Sequence, residues 1–114
     1  MREVVVTGMG IVSSLGNNIS EVKNSLKESI SGISENKTNK EMGLRSHVSG
    51  SIKNLELKEL IDRKLYRFMG EASAYAFLSA QEAIDNANLS QDELELVQSE
   101  APAKDSASSI PLLK

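Results

Sequence analysis

The sequence predicts an α/β chain, with a buried strand near its start and a long Ala-rich amphipathic helix further on. Two patterns carry that prediction. Val4-Val5-Val6-Thr7 is an unbroken apolar and β-branched run, which suits a strand covered on both faces, as in a parallel sheet. Leu65, Met69, Ala72, Ala76, Ala80, Ala83 and Ala87 recur at spacings of three and four, which places them along one face of a helix.

The elements follow in order. Gly8-Met9-Gly10 turns the chain after the first strand, because glycine tolerates backbone angles that a side chain forbids. Ile11-Val12 and Ser13-Ser14-Leu15 lead to Gly16-Asn17-Asn18. Asn18 is placed to cap a helix, with Glu21 as the reciprocal partner of a capping box. Val22, Leu26 and Ile30 then share one face, and the helix is expected to end near residue 28 or 29, before Gly32. Residues 31–44 are polar with glycines at both ends and read as a loop, with a helical turn near Lys40 to Met42.

Arg45 to Lys53 alternates around Val48, Gly50 and Ile52, which predicts a short strand. Residues 55–61 predict a helical turn, and Asp62 opens the next helix. The long helix is expected over residues 66–86, with Phe68 and Ile84 widening its apolar stripe. Its alanines would let another backbone approach closely, and covering a sheet or helix is the ordinary use of such a face. Ser90 with Glu93 makes a second capping box, opening a short helix to about Val97.

Composition narrows the function. The 114 residues suffice for one small domain. Hydrophobic content of 39% and charged content of 25% are ordinary for a globular chain. A net charge of −3 and few aromatics argue against a nucleic-acid partner. No apolar run reaches the roughly eighteen residues of a membrane span. The first residues lack a signal-peptide pattern, so a cytoplasmic location is expected.

Candidate sites are few. There is no cysteine, which excludes disulfides, thiolate metal sites and a thiol nucleophile in this chain. His47 is the single histidine, and neither a G-x-S-x-G turn nor further metal ligands at helical spacing accompany it. The strand and Gly8-Met9-Gly10 share the skeleton of a dinucleotide-binding loop, but Ser13 stands where the third glycine would fall. The helix also begins too late, and no second strand ending in an acid follows at the right distance, so a structural turn is the expectation. Arg63, Lys64 and Arg67 form the one basic cluster, and a solvated helix start is its ordinary meaning. No catalytic, cofactor-binding or metal-binding residue is therefore assigned.

Taken together, the opening REVVVTGMGIVSSLGNN resembles the start of the β-ketoacyl-acyl-carrier-protein synthases, the condensing enzymes of fatty-acid synthesis. Ser31-Gly32-Ile33, Gly43-Leu44-Arg45-Ser46-His47-Val48 and Ile61-Asp62-Arg63-Lys64 extend the resemblance. So do Arg67-Phe68-Met69, Ala76-Phe77-Leu78-Ser79 and Ala87-Asn88-Leu89-Ser90. Their order holds along residues 1 to about 95 and is closer to the synthase I branch than to synthase II.

The resemblance implies a thiolase-like fold of two similar halves in five layers, of which this chain would hold a partial amino-terminal segment. It implies a homodimer acting on acyl carrier protein, without a redox cofactor or metal. It also implies acyltransferase chemistry: a cysteine takes up the acyl group, two histidines assist decarboxylation of malonyl, and the oxygen that becomes negative is stabilised. None of those three residues has a counterpart here, and His47 matches a non-catalytic position. The chain is expected to be an amino-terminal piece of about a quarter of a family member, inactive alone. The alternative is a small interaction module that pairs with a full-length synthase.

Residues 1–97 form the family-like segment in this reading, and residues 98–114 a divergent, disordered tail. VQSEAPAKDSASSIPLLK departs from the apolar strand and glycine-rich stretch implied by the resemblance. A shifted reading frame or early stop would produce such a change. A first strand without its sheet would leave unpaired backbone and uncovered apolar faces, so the isolated chain is expected to be partly folded or prone to aggregate.

Overall fold

The computed structural model describes residues 2–100, with side chains to residue 96. Six helices and one two-stranded sheet lie among the described residues. In chain order they are α1 (Ile19–Lys27), β1 (Ile33–Glu35), α2 (Lys37–Glu41), β2 (Val48–Gly50), α3 (Leu57–Leu60), α4 (Arg63–Tyr66), α5 (Glu71–Ala87) and α6 (Gln91–Glu100). The arrangement is mixed, helices together with one small sheet.

Asn18 caps α1, its side chain accepting the Glu21 N–H at 2.9 Å. Glu21 reaches back one residue further than a reciprocal capping box requires, and its carboxylate takes the Asn17 N–H at 2.7 Å. The helix stops at Lys27, with Ser29 in the left-handed region at φ 55°. Its packed face differs from the predicted one. Val22 and Ser25 are buried, whereas Leu26 and Ile30 are exposed. Ser25 can be buried because its hydroxyl donates to the Leu15 carbonyl at 2.7 Å.

The expected loop over 31–44 contains β1 and α2; the helical turn expected near Lys40 to Met42 is the end of α2, which starts earlier, at Lys37. β1 pairs antiparallel with β2, setting Ile33 against Gly50, Ser34 against Ser49 and Glu35 against Val48. Asn36 joins the two elements. Its N–H donates to the His47 carbonyl at 2.6 Å, its amide donates to Ser49 Oγ at 3.0 Å, and its Oδ1 accepts the Asn39 N–H at 3.0 Å to cap α2. The ion pair between Lys40 and Glu35, 2.9 Å long, is exposed at both ends and is worth under about 1 kcal/mol.

The predicted helix over 66–86 is divided. Asp62 caps α4 by accepting the Lys64 N–H at 2.7 Å, α4 ends at Tyr66 with Arg67 as its C-cap, and α5 begins at Glu71 behind Gly70. Left-handed Asn88 ends α5, a position that asparagine tolerates better than most residues. The buried cluster is Leu57, Ile61 and Ala74, flanked by Leu55, Leu65, Tyr66, Met69, Tyr75, Phe77 and Leu78. It lies where α3, α4 and the first half of α5 meet. Ala72 and Ala76, expected in the stripe, are exposed, and Phe68 is 87% exposed. The break between α4 and α5 rotates Phe68 out of register with the residues that follow it.

The expected buried strand at Val4 to Thr7 is also absent. Those residues lie outside any strand, with Val4 92% and Val6 81% exposed. A strand exists only against a neighbour that accepts its backbone hydrogen bonds, and no described segment supplies one. The radius of gyration is 17.4 Å, against about 13 Å for a compact chain of this length. This open arrangement agrees with a core of only three buried residues in that cluster.

α6 runs to Glu100, beyond the predicted end at Val97. Ser90 and Glu93 cap it reciprocally. The Ser90 N–H donates to Glu93 Oε2 at 2.7 Å, and the Glu93 N–H donates to Ser90 Oγ at 3.3 Å. The predicted disordered tail falls mainly on residues 101–114, outside the described residues.

Candidate functional site

The second half of α5 carries Ser79, Glu82, Ala83, Asn86 and Ala87 on one face, by their spacing of three and four residues. The segment Gly8-Met9-Gly10-Ile11 crosses this face. The Met9 N–H donates to Asn86 Oδ1 at 3.2 Å, and the Ile11 N–H donates to Glu82 Oε2 at 3.0 Å. A Cβ on Gly8 would lie 2.7 Å from the Ala87 Cβ, and one on Gly10 would lie 2.8 Å from the Ala83 nitrogen and against the Ser79 carbonyl. Both glycines are therefore explained by close approach of backbone to helix. Two N–H groups that a phosphate loop would turn toward its ligand are already engaged by side chains of α5.

His47 is exposed and lies immediately before β2. Its carbonyl holds Asn36, while its imidazole makes no hydrogen bond among the described residues. Among the described residues it is hydrogen-bonded to no orienting acid and to no serine it could activate.

A polar concavity of about 270 Å³ opens beside the Ser13–Gly16 turn, with Asn17, Glu21, Lys53 and Asn54 on its wall. The Asn17 amide donates to the Lys53 carbonyl at 2.7 Å and to the Asn54 carbonyl at 3.3 Å, which ties the turn to the chain after β2. Sequence patterns did not single out this role of Asn17, nor the clasp made by Glu82. The available signal for Glu82 was an acid set among small residues on the helix face.

A further concavity is basic. Arg63, Lys64 and Arg67 line a concavity of about 710 Å³ together with Asp62. All four are exposed. Asp62 uses its carboxylate to cap α4, and the basic residues form no ion pair among the described residues. Three cations thus project from little more than one turn of chain, beside the single carboxylate of Asp62 and without an ion pair among the described residues. Such a surface can attract an acidic partner from a distance and hold it at the rim, in a salt-dependent way.

Comparison with known proteins gives the setting of these features. The family model for the β-ketoacyl synthase N-terminal domain matches residues 1–102. The chain is 54% identical over 94 residues to 3-oxoacyl-(acyl-carrier-protein) synthase 1 of Haemophilus influenzae, covering 82% of this chain and 23% of that protein. It is 53% identical over 92 residues to the synthase 1 of Escherichia coli, covering 81% of this chain and 22% of that protein. Synthase 2 of Staphylococcus aureus is 30% identical over 92 residues, again with 81% and 22% covered. The chain spans less than a quarter of the length of these relatives, and its similarity to the synthase 1 proteins exceeds that to synthase 2. From the opening glycine segment to α6, this chain belongs to the β-ketoacyl synthase family, by its N-terminal domain.

Proposed function

We propose that the chain supplies amino-terminal scaffold of a synthase I-type condensing enzyme and does not itself carry out the condensation. The parent reaction joins an acyl group to malonyl-carrier protein with loss of carbon dioxide, elongating a fatty-acid chain. The observation that carries the reading is the family match over residues 1–102 in a chain with no cysteine. Acyl transfer through a thioester needs a thiolate to accept the acyl group, and none can form here. Incubating the purified chain with acyl- and malonyl-carrier protein should give no 3-oxoacyl product, and its mass should remain that of the unacylated polypeptide. Turnover, or a stable acyl adduct on the chain, would overturn the reading.

The basic trio supports a second part of this reading, in which the chain offers a docking face to the acidic carrier protein. The relatives' names place acyl carrier protein among their reactants, and Arg63, Lys64 and Arg67 stand exposed without ion-pair partners among the described residues. Charge reversal at Arg63 and Arg67 should abolish the salt-sensitive chemical-shift changes that carrier protein causes in the chain. Unchanged titrations would remove the trio from the docking face and leave the scaffold reading intact. Pairing with a second subunit, as the family resemblance implies, is proposed on the same basis and is tested by sedimentation of the chain with a full-length synthase 1.

A further inference from the structure

We draw no further inference here: the strongest candidate, the apolar groove between Met9 and the Val22–Leu26 face of α1, rimmed by Lys23 and Lys27, carries none because nothing in the structure shows what covers it.

Discussion

Glu82 accepts the backbone N–H of Ile11 at 3.0 Å, joining residues 71 apart in the chain. The other oxygen of the same carboxylate accepts the Ile19 N–H at 2.8 Å. Ile19 is the first residue of α1, so its N–H has no partner inside the helix. One side chain on α5 thereby fixes the opening segment and the start of α1, and its negative charge lies at the favourable end of the α1 dipole.

Replacing that carboxylate should release both attachments. For Glu82→Ala we expect a loss of about 2 kcal/mol, because charge-assisted hydrogen bonds to partly buried amides are among the stronger ones. Glu82→Gln, which keeps a single oxygen acceptor, should cost about half as much. Amide hydrogen exchange checks this directly: Ile11 and Ile19 should lose protection together in Glu82→Ala. Unaltered exchange at both would mean that the clasp does not hold the segment in solution.

Gly10→Ala tests the crossing from the opposite side. The added methyl group has no room between the segment and the Ser79 carbonyl. Overpacking of this kind costs about 1–3 kcal/mol. Gly70→Ala is the control, since nothing lies within 4 Å of the position a Cβ would take there. Urea titrations should show a lower midpoint for Gly10→Ala and a much smaller change for Gly70→Ala. Equal midpoints would contradict the tight crossing.

Asn18→Ala removes the side-chain acceptor at the start of α1. A lost cap of this kind costs about 1 kcal/mol. The effect should appear as fraying of the first turn, with faster exchange at the Glu21 N–H, while α6 stays as it is. Protection of that amide in the variant would show that the cap is redundant.

Glu93 gives a pH dependence with a definite sign. Hydrogen bonds from the Ser90 N–H and then the Ser90 hydroxyl hold its pKa below the ordinary glutamate value. The folded state therefore favours the carboxylate. The stabilisation is complete above the unfolded pKa and is lost as pH falls through the lower folded value. Exchange at the Ser90 N–H, corrected for its intrinsic pH dependence, should accelerate across that acidic window. Glu93→Gln should remove the titration, and a profile identical to the parent would refute the assignment.

Short-range chemistry was legible in the residue order. Asp62 and Ser90 cap α4 and α6 through contacts two or three residues away, so residue identity alone sets donor against acceptor. The alanines near the end of α5 signalled a close neighbour, whereas Gly8 and Gly10 read as a turn needing unusual backbone angles; neither has a positive φ, and it is the nearness of α5 that leaves no room for a side chain. That the two signals meet at one crossing was not visible in either of them. The strand β1 was hidden in a polar stretch because its support comes from β2, about fifteen residues on, and from Asn36 bridging to Ser49.

By itself the sequence determined the family, the caps and the absence of a thiol, because these depend on which residues stand at which positions. Only the tertiary structure decided that Val4 to Val6 lie exposed, that the predicted long helix breaks before Glu71, and that Glu82 clasps two distant amides. Burial and pairing depend on a partner surface arriving from elsewhere in the chain. An apolar run states that it can be covered; the described residues provide no strand to cover this one.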